Sequence, residues 1–249
     1  MGEICPASFG STGIEVVNPF LDSDLVHELA HLAEPLLRSN DRRTPGVRRV
    51  LLREPRIAEA LRGSPLPELL ESVGGPAWRV VRALLFDKSG EANWMVPWHQ
   101  DAAIAVVERI DVPGFGMWGV KDGEHHCRPP REVLEMVFTI RIHLDDCGPH
   151  SGPLRVVAGS HRAGLLDESE IAACVERGPI VEASVAAGGV VLTTPLAVHS
   201  SPRSTEPNAR RRVLHLDCTA AELPGGLQWA EQWHPREAIH SGALRSLKS

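Results

Sequence analysis

His99 and Asp101 stand two residues apart in the run Trp98-His99-Gln100-Asp101, and a third metal-binding side chain, His199, follows the apolar stretch Gly188 to Leu192 much later in the chain. In an extended chain alternate side chains share a face, so an imidazole and a carboxylate at this spacing converge on one point. An imidazole from a distant strand completes a three-donor face. Two histidines and one carboxylate suit a ferrous ion, with the opposite face left open for a chelating co-substrate and dioxygen.

Two other motifs compete for a metal. His27-Glu28-Leu29-Ala30-His31 matches the H-E-x-x-H pattern of zinc proteases. On a helix, however, His27 and His31 share a face with Glu34 and Arg38, opposite a leucine stripe, and the longer pattern with a third histidine is absent. An ordinary solvent-facing helix accounts for it. His125, His126 and Cys127 are adjacent, so neighbouring side chains diverge and no spaced partner completes a zinc set. They read as a solvent-exposed loop, and His161 either orients its own loop, the favoured reading, or touches substrate.

The elements that must position these groups follow from periodicity. Asp22 or Ser23 caps a helix to about Arg38, with Leu25, Leu29, Leu32 and Leu36 as its buried stripe. Two short helices follow, over 56–61 and 66–73, and after Gly74-Gly75-Pro76 the pattern changes to short β-branched segments. These cover 80–86, 103–107, 133–144, 154–157, 180–185, 190–193 and 211–219. They predict a mainly β chain, an antiparallel sandwich or barrel with helices packed against one sheet. The polar insert between Val107 and Val133 reads as a long loop of the kind that forms a lid.

Composition narrows the partners. The 249 residues show no linker or repeat, so they read as one domain spanning 1–249, and a formal net charge of -6 gives no footprint for nucleic acid. No apolar run reaches the roughly 20 residues of a membrane span. Five scattered cysteines (Cys5, Cys127, Cys147, Cys174, Cys218) without a C-x-x-C pair, and no signal-peptide pattern, suggest a reducing cytoplasm. The expected partner is a small molecule.

Strand alternation then selects the cavity faces. In Val137 to Asp145, Thr139, Arg141 and His143 share one face, and Phe138, Ile140, Ile142 and Leu144 the other. With the apolar set against the helices, Arg141 and His143 become candidate substrate-binding residues for a small, polar, anionic molecule. The alternative pairs Arg141 internally with Asp145 or Asp217. In the last strand Arg211, Val213, His215 and Asp217 share a face, opposite Arg212, Leu214, Leu216 and Cys218. Leucines belong against helices, so Arg211 faces the cavity, where its planar guanidinium can grip a carboxylate through two charged hydrogen bonds.

Trp98-His99-Gln100-Asp101, Trp118, Leu144-Asp145-Asp146, the run Gly152 to Arg162, and His199-Ser200-Ser201 followed by Arg211-Arg212-Val213 together resemble one family. It is the phytanoyl-CoA dioxygenase-like branch of the Fe(II)/2-oxoglutarate-dependent oxygenases. The resemblance implies a double-stranded β-helix (jelly roll, cupin-like) with N-terminal helices packed on one sheet. It also implies Fe(II), 2-oxoglutarate and O2, with succinate and carbon dioxide released. By the same resemblance His99, Asp101 and His199 are the iron ligands, Arg211 anchors the co-substrate, and Ser201 and Trp118 touch it. The family's interval from His199 points to Arg210, whereas the strand that follows points to Arg211. An aspartate at 101, where halogenating relatives carry a small residue, implies hydroxylation or desaturation. The expected activity is hydroxylation, or another oxidation, of a C–H bond in a small polar molecule. The alternative is a cupin-like metal-dependent isomerase or a non-catalytic small-molecule-binding barrel.

Overall fold

The computed structural model describes residues 6–39, 46–89, 92–206 and 209–236; Cys5 lies outside them. Helices α1 (Pro6–Thr12), α2 (Ser23–Ser39), α3 (Val50–Arg53), α4 (Pro55–Arg62) and α5 (Leu66–Gly74) occupy the N-terminal third. Strands β1 (Ile14–Val17) and β2 (Val47–Arg48) are threaded between them. The later strands are β3 (Arg79–Lys88), β4 (Val96–His99), β5 (Ile104–Val106), β6 (Gly116–Lys121), β7 (Glu124–Arg128), β8 (Phe138–His143) and β9 (Leu154–Val157). They continue as β10 (Ile180–Ala183), β11 (Val190–Thr193), β12 (His199–Ser201) and β13 (Arg211–Thr219), with helices α6 (Arg131–Glu135) and α7 (Glu168–Arg177) between.

A six-stranded sheet, β1-β11-β8-β13-β3-β2, faces a four-stranded one, β10-β9-β12-β4. Ile14 and Val191 of the first pack on Leu154, Val156 and Ala183 of the second. A mainly β double-stranded β-helix with helices on one sheet is the architecture expected.

The helix layer sets which face of the large sheet looks inward. Asp22 Oδ1 accepts from Leu25 N–H at 2.9 Å and caps α2, which buries Val26, Leu29, Leu32, Ala33 and Leu36. These pack with Ile140, Ile142, Leu214 and Leu216 on the outer sheet face. Each fully buried leucine contributes roughly 1.5 to 3 kcal/mol, and a one-residue slip would invert the face, so the register is strongly held. His27 and His31 lie exposed on the other side of α2, as a plain surface helix requires.

The inner face is therefore polar and layered. Across β3, β13 and β8 the register gives Arg82, Asp217 and Thr139, then Leu84, His215 and Arg141, then Phe86, Val213 and His143. Lys88 stands opposite Arg211 at the end.

Two expectations are corrected here. The segment 133–144 begins as α6 and becomes a strand only at Phe138. The insert after Val107 is no bare loop, because β5, β7 and β6 form a third sheet. His125, His126 and Cys127 sit on β7, where Cys127 is buried and His126 Nε2 lies 3.0 Å from the Glu124 carboxylate. Glu124 is fully buried, and a charge without solvent needs partners, which Arg48 and Arg82 supply.

A C-terminal strap closes the β3 edge. Val80 and Trp233 exchange backbone hydrogen bonds of 2.9 Å each, and Ala83 N–H donates to the Glu231 carboxyl group. Burial, reinforced by Glu124, pushes the Glu231 carboxyl up to about 8, against 4.5 for the free group. The folded state thus holds this proton more tightly than the unfolded chain, so stability should fall as pH rises from about 4.5 through 8. Glu231→Gln should flatten that decline in urea-unfolding free energy; an unchanged slope would show that the carboxyl group does not titrate in this way.

Candidate functional site

β4 and β12 pair antiparallel with His99 directly opposite His199, and the two imidazole rings lie 4.3 Å apart. β4 ends at His99, so simple strand alternation does not place Asp101. Gln100 does. Its amide donates to Gly164 O at 2.7 Å and Leu196 O at 2.6 Å and accepts from Leu166 N–H at 2.8 Å. Asp101 N–H donates to Pro195 O at 2.9 Å, and the carboxylate turns back toward both imidazoles. Its oxygens lie 3.5 Å from His99 Nε2 and 3.5 Å from His199 Nε2.

One ligand atom from each of the three residues lies within 4.8 Å of the others. His99 Nδ1 is 2.8 Å from Pro97 O and His199 Nδ1 is 2.8 Å from Ala197 O. A carbonyl only accepts, so each Nδ1 carries the hydrogen and each Nε2 presents a bare lone pair inward. Burial pushes His199 down to about 4, which keeps it in the neutral, ligating form. Burial alone would raise Asp101, yet His199, His99 and Arg141 hold it well below the usual carboxylate range. Burial lowers His99, but the Asp101 carboxylate outweighs it and raises His99 above the ordinary imidazole value. Two imidazoles and one carboxylate fit a divalent first-row ion such as ferrous iron.

The triple arginine divides between two faces. Arg210 pairs with Asp87 at 2.7 Å and with Glu34, and Arg212 pairs with Asp145 at 2.6 Å and Glu34 at 3.1 Å. Both face the helix layer. Arg211 alone turns inward, donating to Gly152 O and to Ser201 Oγ at 3.2 Å. Opposite it, the fully buried Lys88 donates to Ser201 Oγ at 2.8 Å and Pro202 O at 2.6 Å. Burial, with Arg211 beside it, pushes Lys88 down to about 7. Gly152 has φ +69, and a Cβ there would meet Pro202 O at 2.5 Å and Lys88 Nζ at 3.2 Å, so only glycine leaves this end open.

The triad and Arg211 border one cavity of about 210 Å³, which Lys88 does not line. The three metal-ligand candidates form one wall, and Leu84, Phe86, Trp94 and Val96 line it with apolar surface. Arg211 and Ser201 also line it, as do Arg48, Arg82, Arg141, His215 and Asp122. Arg141 donates to Thr193 Oγ1 and lies 3.6 Å from Asp101 Oδ2. The internal pairing with Asp145 or Asp217 is not formed: Asp145 holds Arg212, and Asp217 accepts from Thr139 at 2.9 Å and sits 3.0 Å from His215.

Two expected site residues are placed elsewhere. His143 is buried opposite Val213 but does not line the cavity, because β8 is reached there only by the longer Arg141 side chain. Burial and the two neighbouring arginines push His143 down to about 3, so it is neutral. Trp118 lies on β6, packed on the core of the third sheet with the Arg109 guanidinium 5.6 Å from its ring, away from the cavity. The hairpin that carries it was unforeseen.

The family profile for phytanoyl-CoA dioxygenase (PhyH) matches residues 12–213. The chain belongs to this family of Fe(II)/2-oxoglutarate-dependent oxygenases. No curated protein sequence matches significantly. Among solved structures, AviO1 from Streptomyces viridochromogenes Tue57 is 23% identical with TM-score 0.63, covering 88% of this chain and 95% of its own. EctD from S. alaskensis with 2-oxoglutarate and 5-hydroxyectoine is 22% identical, TM-score 0.66, over 86% of this chain and 74% of that one. SnoK, a non-heme alpha-ketoglutarate-dependent carbocyclase from nogalamycin biosynthesis, is 15% identical with TM-score 0.65 over 98% and 90% of the two chains. At these identities the likeness establishes the fold. Among the described residues no helix is long and apolar enough to cross a membrane.

Lys88, Trp94, Arg82 and Arg48 escaped the sequence reading. Lys88 had a signal: Arg82, Leu84, Phe86 and Lys88 alternate on one face, but the strand was expected to stop at Phe86. If the triad is the metal centre, Asp101→Ala should weaken Mn(II) or Fe(II) binding by at least the roughly 10- to 100-fold that loss of an outer-shell partner costs. His126→Ala should leave it unchanged. Calorimetry giving equal affinities for Asp101→Ala and wild type would remove the carboxylate from the ligand set.

Proposed function

We propose that the protein is a 2-oxoglutarate-dependent hydroxylase that oxidises a C–H bond of a small polar molecule. Arg211 carries this reading. Of three consecutive arginines it alone lacks a carboxylate among the described residues, and it faces the same cavity as the His99, Asp101 and His199 donors. In this assignment the three donors hold ferrous iron, while Arg211 and Ser201 receive the distal carboxylate of 2-oxoglutarate. Iron and 2-oxoglutarate, when bound, supply the oxidising power drawn from dioxygen, with succinate and carbon dioxide as co-products. The chain's own contribution is orientation and exclusion of water.

Leu84, Phe86, Trp94 and Val96 keep the cavity dry, which strengthens every polar contact made inside it. Arg141 is suited to orient an anionic or strongly polar substrate, because a metal at Asp101 would engage the carboxylate it now faces at 3.6 Å. Asp101 fills the position that halogenating relatives leave open, which favours hydroxylation or desaturation. The 5-hydroxyectoine named with EctD and the carbocyclase SnoK illustrate the range of outcomes among structural neighbours. A barrel with no anionic ligand would gain nothing from a buried arginine without a carboxylate at this place, since burying it costs several kcal/mol.

Ferrous protein supplied with 2-oxoglutarate, oxygen and a panel of small polar acids should form succinate. Its absence with every candidate, alongside retained iron, would favour the isomerase or binding reading. Arg211→Ala should cost about 2 to 4 kcal/mol of co-substrate binding, roughly 30- to 1000-fold in affinity. Arg210→Ala and Arg212→Ala should bind 2-oxoglutarate normally and lose only the stability of their pairs with Glu34, Asp87 and Asp145. The reverse ranking would place the wrong arginine inside. Arg141→Ala should raise KM for the substrate far more than for 2-oxoglutarate; equal rises would end its assignment to the substrate.

A further inference from the structure

We infer that Arg48 and Arg82 form an anion site for the substrate, so that the molecule oxidised carries an oxyanion group, a carboxylate or a tetrahedral acid group such as a sulfate or phosphate ester. The inference rests on the oxygenase reading above and names a substrate class that this reading leaves open.

The two arginines come from neighbouring strands. Arg48 on β2 is the register partner of Leu84 on β3, and Arg82 stands two residues earlier on β3. Both line the cavity that holds His99, Asp101 and His199. Register fixes their place on the inner face: Arg82 lies one row beyond Arg141, the arginine 3.6 Å from Asp101, while Arg211 lies two rows to the other side. From Arg82 to the Lys88–Arg211 row is six residues of β3, roughly 20 Å along the strand. A 2-oxoglutarate held at Arg211 is too short to span it.

Glu124 holds the two guanidinium groups near each other. Its fully buried carboxylate lies 3.3 Å from Arg48 and 3.7 Å from Arg82, with Arg49 at 3.8 Å. Only the contact to Arg48 is a hydrogen bond. Arg82 next meets Asp217 at 3.6 Å, but that carboxylate already accepts from Thr139 at 2.9 Å and sits 3.0 Å from His215. The buried Nε of Arg82 finds no acceptor, and its side chain forms no hydrogen bond among the described residues. A guanidinium carries five donors in a planar fork, so most of this one is unspent. Arg48 uses Nε on the half-exposed Asp122 at 3.2 Å and Nη1 on Glu124, which leaves Nη2. Negative charge is also short. With Asp101 given to a metal, Arg48, Arg49, Arg82 and Arg141 share only Asp122, Glu124 and Asp217, because burial pushes the nearby Glu231 carboxyl up to about 8 and keeps it mostly uncharged at neutral pH. Two buried guanidinium groups with unused donors, bordering the cavity and one carboxylate short, fit an oxyanion brought by the ligand.

The test uses Mn(II)-loaded protein saturated with 2-oxoglutarate, so that the metal and Arg211 are occupied, and titrates it by calorimetry with sodium sulfate and with sodium acetate. Wild type should bind at least one of them saturably, and the tighter of the two tells a tetrahedral from a planar acid group. Arg82→Gln and Arg48→Gln should each weaken that binding at least about 10-fold, as for loss of a charged hydrogen bond. Arg109→Gln, which removes an exposed arginine paired with Asp111, should bind as wild type does. Arg82→Lys keeps the charge and loses the fork, so it should fall between wild type and Arg82→Gln; it carries the comparison if the glutamine variant does not fold. Arginines that only brace Glu124 would lower the melting temperature when replaced and leave anion binding unchanged, which overturns the inference, as does wild type that binds neither anion saturably. Both results leave Arg211 and the oxygenase reading intact. Wild-type protein that binds the anion through Arg82 but takes up no 2-oxoglutarate keeps the arginine site and overturns the oxygenase reading.

Discussion

The packing of α2 against the outer face of the large sheet is the constraint on which the cavity depends. Leu214, Leu216, Ile140 and Ile142 must stay under the helix layer, and the period of two then leaves Arg211, His215 and Arg141 no choice but to face inward. Hydrophobic burial on one side thus holds charge in place on the other. A polar face of this kind would not assemble on its own, because each buried cation costs more than its local hydrogen bonds return.

Within the cavity only part of the charge is matched internally, Arg141 lying 3.6 Å from the Asp101 carboxylate. Two histidines, oriented through their outer nitrogens by Pro97 and Ala197, and one depressed carboxylate make a pole that attracts a divalent ion. Arg211 makes a second pole, where no carboxylate of the described residues meets it. On the outer face, where no ligand is required, the equivalent cations are fully matched: Arg210 and Arg212 share Glu34 and hold Asp87 and Asp145. The contrast across one strand separates arginines matched by carboxylates of the fold from the arginine proposed here to receive one from a ligand.

Much of this was legible in the sequence because it rests on short-range periodicity. The faces of β8 and β13 and the stripe of α2 follow from alternation and spacing, and the spacing of His99, Asp101 and His199 marked them as one set although alternation is not what brings Asp101 into it. What was hidden depended on tertiary contacts. The β6–β7 hairpin carries Gly116 and Gly119 and exposed Met117 and Val120, a composition that reads as loop, and it is held as a sheet by pairing with β5. His143 shares its face with Arg141, yet only the longer side chain reaches the cavity. Gln100, to which the sequence assigned no role, is the hydrogen-bonded post that turns Asp101 into place.

On the function proposed here, one cavity binds a ferrous ion at His99, Asp101 and His199 and a 2-oxo diacid that chelates the ion while reaching Arg211. Anaerobic titration of the ferrous protein with 2-oxoglutarate, followed by visible absorption, tests it most directly. The account predicts a metal-to-ligand charge-transfer band that saturates at one equivalent of the acid. Iron that stays bound while no band develops at any 2-oxoglutarate concentration would contradict it.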